Sequence, residues 1–248
     1  MCESPTVVMI IGDFMFKSDN MKIGIIVAMD KELEQLKSVF SSCGNGTEVI
    51  VEKCGIGKVN AALGALQMIH THCPDVIISS GCAGGNGDDI NVQDVVVSSE
   101  LVYHDVYCGK AIDDTTVYGQ VQGMPARFPV DARLLQCAKT LSDEFTAQQN
   151  GLSMHFGLIA TGDWFVDSKE KMRSIVEKFP EAKAIDMESA AIAQTCYRSG
   201  VPFISFRVIS DIPLRDTDAS MYHDFWERIA SNSFQVTRRF VETVLSSL

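Results

Sequence analysis

The chain of 248 residues contains no run of basic side chains longer than Arg238-Arg239. Nucleic-acid surfaces present Lys and Arg in patches, because phosphates dominate such contacts. With 21 Lys+Arg against 32 Asp+Glu, a formal charge of −11, no nucleic-acid partner is expected. A small neutral or zwitterionic substrate fits the acid excess better than a polyanion does. Long apolar runs are also missing: none approaches the ~20 residues of a membrane span. The apolar stretch 6–12 is short and follows Glu3 rather than a basic segment, which argues against a signal peptide. No membrane partner is expected.

Paired cysteines are lacking too. The eight cysteines (2, 43, 54, 73, 82, 108, 137 and 196) include no C-x-x-C pair. A disulfide-stapled secreted domain would be shorter and denser in Cys. The five histidines show no zinc-ligand spacing with those cysteines. Reduced thiols, hence a cytoplasmic protein without a metal, are the expectation. No linker, repeat or low-complexity tract divides the chain, so one domain is expected over residues 21–248. Residues 1–20 read as an extension preceding the first strand and lying outside the core.

What is present is an alternation. Short β-branched runs at 22–28, 48–54, 75–80, 94–98, 157–161, 182–186 and 202–210 predict strands, several apolar throughout as strands buried on both faces should be. Between them Met29, Leu33, Leu36 and Phe40 repeat at helical spacing, as do Val59, Ala62, Leu63, Leu66 and Ile69, and Leu134, Leu135, Ala138 and Leu141. A long C-terminal helix is expected over about 220–244. The alternation predicts an α/β fold with a mixed, mostly parallel central sheet flanked by helices.

In such sheets ligands sit beyond the carboxyl ends of the strands. Those ends carry Glu32, Gly55-Ile56-Gly57, Gly81-Cys82-Ala83-Gly84-Gly85, Tyr103-His104-Asp105, Gly162-Asp163-Trp164-Phe165, Glu188 and Asp211. Carboxyl groups can protonate a leaving group and activate water, the two needs of glycosidic cleavage. Helix capping explains Glu32 and Glu188 equally well. Asp211 ends an apolar strand interrupted by Arg207, and either a buried proton donor or a structural pair with Arg207 would look the same. The Gly81–Gly85 run reads as a glycine-rich turn that lets a ligand approach the backbone. Gly55-x-Gly57-x-x-Asn60-Ala61 loosely matches the dinucleotide fingerprint, but the next strand ends in Ser79-Ser80 rather than an acid, which weakens an NAD-dependent dehydrogenase. Phe165 and Trp164 could stack on a purine or serve as core. His104 and Asp105, adjacent on extended chain, point to opposite sides, so one of them is expected to be structural.

Taken together, Ile23-Gly24-Ile25-Ile26 with Ala28-Met29 and Glu32, Gly55-Ile56-Gly57-Lys58-Val59, Gly81-Cys82-Ala83-Gly84-Gly85, Tyr103-His104-Asp105, Gly162-Asp163 with Phe165, Asp186-Met187-Glu188 and Arg207-Val208-Ile209-Ser210-Asp211 resemble the 5′-methylthioadenosine/S-adenosylhomocysteine nucleosidases, in collinear order over about residues 21–245. The resemblance implies a nucleoside phosphorylase-like fold, a homodimer, no cofactor, and an adenine nucleoside as the partner molecule. It implies that Asp211 protonates adenine at N7, with Ser210 orienting it. Glu32 would hold the attacking water with Arg207 nearby. Glu188 would bind the ribose hydroxyls and Met187 pack on the sugar. Phe165 would stack on adenine, and the Val166 backbone would read its edge. Met29, Cys82, Ala83 and Gly84 would complete the substrate pocket. Two departures stand out. Cys82 replaces a common Ser, and the 106–122 stretch, which in the family reaches the neighbouring subunit's pocket, differs in length and content. The resemblance leaves the 5′ substituent open among methylthio, homocysteinyl, deoxy and aminofutalosine forms. A phosphorylase of the same superfamily is the alternative; it would want arginines for phosphate, and the loop Met29-Asp30-Lys31-Glu32 offers none. A nucleoside-binding protein without activity is disfavoured by the presence of all three acids.

Overall fold

The computed structural model describes residues 21–40, 48–109, 115–147, 153–215, 225 and 232–247. The expected extension 1–20 lies outside them. In chain order the elements are β1 Lys22–Val27, α1 Asp30–Phe40, β2 Glu48–Lys53, α2 Lys58–His72, β3 Val76–Gly85, β4 Val95–Tyr103, β5 Phe128–Pro129, α3 Ala132–Ala147, β6 Met154–Thr161, α4 Lys169–Val176, β7 Ala182–Asp186, α5 Ser189–Ser199, β8 Phe203–Asp211 and α6 Asn232–Ser247. Every expected strand is present, and the short β5 is added. The C-terminal helix begins at Asn232 among the described residues; the expected stretch from 220 lies outside them except for Phe225, which is buried.

The strands form one eight-stranded sheet. Parallel pairs join β1 to β2, β1 to β3, β3 to β8, β4 to β6 and β6 to β7. Antiparallel pairs join β3 to β7, β4 to β5 and β4 to β8. The expectation of a mixed, mostly parallel sheet holds, but the pairing also closes a ring through β3, β8, β4, β6 and β7. Closure depends on β3. It runs for ten residues, through the Gly81–Gly85 stretch expected to be a turn. One edge of β3 pairs with β8 along its length; the other pairs with β1 at 76–79 and with β7 at Gly84 and Gly85. The register with β8 shifts between Ala83 and Gly84, which pair with Ile209 and Asp211 and leave Ser210 of β8 as the extra residue of a bulge. Glycine is needed here for close approach: a Cβ on Gly85 would sit 2.8 Å from Ile209.

Helices α2 and α5 cover one side of the sheet, and α1, α3 and α6 cover another. On α3, Leu134, Ala138 and Leu141 face the core as expected. On α2 the expected repeat divides, with Ala62 and Ile69 packed against the core and Val59, Leu63 and Leu66 turned outward. Ala61, Ala65 and Met68 are buried, while Val59, Leu63 and Leu66 are 71%, 60% and 42% exposed. Ala190, Ala191 and Ala193 of α5 lie in the same core cluster as Ala61 and Ala65, so small side chains let the two helices pack closely and turn the large ones outward.

Candidate active site

Three strand ends deliver three carboxylates to one place. After β1 the chain turns into α1, and Glu32 folds back over the turn. Its Oε2 accepts hydrogen bonds from the N–H groups of Ala28 (2.9 Å) and Met29 (3.0 Å), and its Oε1 from that of Cys82 (3.0 Å). Gly81 makes the room, since a Cβ there would lie 2.7 Å from Glu32 Oε1. Glu32 is thus both the cap of α1 and a wall of the cavity. Burial pushes its pKa up, although Arg207 and the three backbone N–H groups pull it down.

Glu188 precedes α5 and accepts a hydrogen bond from Gly57 N at 3.0 Å. Burial, and then the neighbouring Asp186, push its pKa from 4.5 up to about 7 against the pull of Arg207. Asp211 ends β8 and is part-buried. The Ser210 hydroxyl lies 2.6 Å from Asp211 Oδ1 and 3.2 Å from the carbonyl of Ala83. It can donate to the carboxylate and turn to the carbonyl when the carboxyl group carries the proton.

Arg207 lies behind the acids. It is 2% exposed. Its Nε donates to Asp186 Oδ2 at 2.7 Å, Nη2 to Ser79 at 2.8 Å and Nη1 to the Phe206 carbonyl at 3.1 Å. Asp186 completes the unit by accepting from the Thr161 hydroxyl at 2.5 Å and from Ser189 N at 3.1 Å. The ion pair that the sequence left open between Arg207 and Asp211 is therefore made with Asp186. Arg207 lines a small space bounded by Glu32, Ser79, Cys54 and Glu188 rather than the main cavity.

That main cavity has a volume of about 300 Å³. Of the twelve residues expected at the site, eleven line it: Met29, Glu32, Cys82, Ala83, Gly84, Phe165, Val166, Met187, Glu188, Ser210 and Asp211. Arg207 is the exception. Ile56, Ile185 and Asp186 line it as well; Ile56 and Asp186 belong to motifs legible in the sequence, but sequence reasoning gave none of the three a role in the site. Asp186 had a visible signal, an acid two positions before Glu188 at the end of a strand. Trp164 and Phe165 stand at the cavity at 43% and 50% exposure, so neither is core. Cys82 is a neutral thiol there, held well above its ordinary pKa by burial and then by Glu32. His104 and Asp105 both lie off the cavity: His104 is 2% exposed, and Asp105 pairs with Lys58. The dinucleotide reading of Gly55-x-Gly57 is overturned. The first N–H groups of α2, those of Gly57 and Lys58, already donate to Glu188 and to Asp163, so they are not offered to a pyrophosphate.

A closed mixed sheet with three acids around an apolar-walled cavity belongs to a known class: residues 22–244 match the sequence profile of the phosphorylase superfamily. Within that class the chain is 37% identical over 239 residues to the 5′-methylthioadenosine/S-adenosylhomocysteine nucleosidase of Anoxybacillus flavithermus, covering 89% of this chain and 98% of that one. Among solved structures, the nucleosidase of Colwellia psychrerythraea in complex with adenine superposes with a TM-score of 0.80 at 32% identity, covering 90% of this chain and 95% of that one. The Neisseria meningitidis nucleosidase in complex with methylthio-immucillin-A gives a TM-score of 0.77 at 32% identity, covering 92% and 99%. The chain belongs to the 5′-methylthioadenosine/S-adenosylhomocysteine nucleosidase family, which are N-glycosyl hydrolases.

Proposed function

We propose that this chain hydrolyses the N-glycosidic bond of 5′-methylthioadenosine, S-adenosylhomocysteine or both, releasing adenine and the 5-thioribose product. The observation that carries the proposal is the convergence of Glu32, Glu188 and Asp211 on one cavity that, among the described residues, no arginine lines. Departure of adenine from the sugar leaves positive charge on the ribose and negative charge on the base. Asp211, oriented by Ser210, supplies the proton to N7. Glu32, fixed by three N–H groups, takes the proton of the attacking water. Glu188 accepts the ribose hydroxyls, Met187 and Met29 pack on the sugar, and Phe165 and Val166 hold the base. Arg207, behind Glu32 and Glu188, balances their charge. Adenine should be released in phosphate-free buffer at the full rate. Turnover that needs phosphate and yields a sugar 1-phosphate would make the chain a phosphorylase instead.

The pH profile is set by Glu188. A carboxylate accepts two hydroxyl protons, whereas a carboxylic acid must donate one of its own. With its pKa near 7 in the free protein, kcat/KM should rise with pH through about 7, since that ratio reports the free enzyme. Glu188→Gln should lower kcat/KM and abolish that limb; a limb retained in the variant would assign it to another group, Glu32 first. The shift also has a cost in stability. The folded form holds the proton more tightly than the unfolded chain, so this contribution declines as pH rises from about 4.5 through about 7.

The active form in this reading is a homodimer. The outward stripe of Val59, Leu63 and Leu66 borders a groove that also takes in Tyr103, Val106 and Val121, and an apolar face of this kind is a candidate for burial against a second copy. Light scattering of an active sample should give twice the chain mass, and a monomer would remove this part of the reading. Every described cysteine is a free thiol, which fits a reducing compartment, the cytoplasm.

A further inference from the structure

The turn that carries the aromatic wall of the cavity is tied down from outside it. Helix α2 starts with two N–H groups that reach different carboxylates: Gly57 N donates to Glu188 Oε1 at 3.0 Å, and Lys58 N donates to Asp163 Oδ1 at 2.8 Å. The Lys58 side chain adds a second link. Its Nζ lies 2.7 Å from both oxygens of Asp105 and 3.6 Å from Asp163 Oδ2. Asp105 Oδ2 in turn accepts from Asp163 N at 2.9 Å. One lysine and two aspartates thus join the start of α2, the end of β4 and the turn after β6. None of the three lines the main cavity. The side chains of Lys58 and Asp105 are 22% and 10% exposed, so water screens the pair less than an open surface bridge.

The turn needs such an anchor. Trp164 and Phe165 are about half exposed, so packing alone holds them weakly. Behind them, the buried His104 ring meets Trp164 edge-on at 5.4 Å. A side chain at Gly162 would strike that ring, 2.3 Å from Cε1, so the turn lies directly against it.

We propose that Lys58, Asp105 and Asp163 are positioning residues for purine recognition: the clasp fixes the turn bearing Phe165 and Val166 relative to Glu188, holding the base and ribose subsites in register. The inference rests on the nucleosidase reading and extends it to residues that touch no substrate atom.

The test separates the two subsites. Asp163→Ala and Lys58→Met remove the clasp from opposite ends, and Lys58→Arg keeps its charge. For methylthioadenosine, KM should rise about tenfold in the first two, as expected for one charge-assisted hydrogen bond lost, with kcat within about threefold of wild type. Inhibition by adenine, which reports the base subsite alone, should weaken by the same factor. Inhibition by 5-methylthioribose should stay unchanged, and Lys58→Arg should recover most of the loss. Should Lys58→Met fail to fold, Lys58→Gln, which keeps a polar end but removes the charge that meets Asp105, gives the same comparison. Wild-type affinity for adenine in the folded variants, or equal weakening of adenine and methylthioribose, overturns the clasp while wild-type cleavage preserves the nucleosidase reading. A wild-type chain that releases no adenine overturns that reading and this inference together.

Discussion

Asp211→Asn should lower kcat for methylthioadenosine by about 10²–10⁴-fold, the usual contribution of a general acid. Asparagine keeps the size of the side chain and still accepts the hydrogen bond from Ser210, which lies 2.6 Å from Asp211 Oδ1. It cannot deliver a proton to N7. Adenine is a poor anionic leaving group, so the loss falls on the step in which the bond breaks, and KM should change little. A nitrophenyl riboside, whose leaving group departs without protonation, isolates this role. Asp211→Asn should cleave it nearly as well as wild type, provided the pocket admits it, whereas loss of Glu32 should abolish its turnover, because the water has lost its base. Equal failure of both variants on that substrate would make Asp211 structural. Full activity of Asp211→Asn on methylthioadenosine would remove it as the acid.

The geometry changes how the Glu32 half of that comparison should be made. Both oxygens of Glu32 accept backbone N–H groups, two on Oε2 and one on Oε1. In Glu32→Gln one oxygen becomes an NH₂ group that must face a donor. The variant therefore loses the base and also leaves a buried N–H without an acceptor, at about 1–3 kcal/mol. Glu32→Ala, which opens space for solvent at those amides, is the cleaner partner for the riboside experiment.

Much of the site was legible because of a rule about topology. Strands in α/β sheets gather the residues at and beyond their carboxyl ends at one place, so most of the cavity lining falls at the expected strand ends, although Tyr103, His104 and Asp105 at the end of β4 lie off it. The rule says nothing about depth. β8 is buried along almost its whole length, so alternation, the one sequence signal that separates the two faces of a strand, is absent, and nothing marks Arg207 as pointing behind the acids rather than into the cavity. Asp186 is easily passed over for a related reason: its partner Arg207 lies on another strand, and only the folded sheet brings the two together. The run Gly81–Gly85 reads as a turn because glycine usually signals one. Here it serves a strand that pairs with β1 and then with β7 along one edge and passes close to Glu32 and Ile209. On α2 both faces are apolar, so periodicity finds a stripe but cannot choose which one faces inward. Side-chain size makes the choice, since alanines on α2 meet alanines on α5.

Arg207→Met should destabilise the fold by about 3–5 kcal/mol, the range for removing one partner of a buried ion pair. Arg207 is 2% exposed, and its Nε–Asp186 Oδ2 contact of 2.7 Å is buried on both sides. Methionine fills much of the volume but leaves the Asp186 charge with only the Thr161 hydroxyl and the Ser189 N–H among the described residues. Glu32 and Glu188 lose the cation that pulls their pKa values down. Both should then titrate higher than in wild type, which fixes the sign of the pH dependence. An acid whose folded pKa is raised loses stability as pH rises from its unfolded value through its folded value. Urea unfolding at pH 5 and pH 8 should therefore show the largest gap between variant and wild type at pH 8, narrowing in acid as the carboxyl groups take up protons. The rising limb of kcat/KM, near 7 on Glu188 in the wild type, should move upward. Adding Asp186→Leu removes the stranded charge with its partner and should recover part of the lost stability, because a buried pair replaced whole by apolar groups is often neutral. A gap below about 1 kcal/mol, or one that does not change between the two pH values, would mean that the guanidinium fills space behind the acids without balancing their charge. A deficit of about 3–5 kcal/mol that the second substitution partly repairs would make Arg207, held by Asp186, the internal counter-charge that allows Glu32, Glu188 and Asp211 to share one cavity.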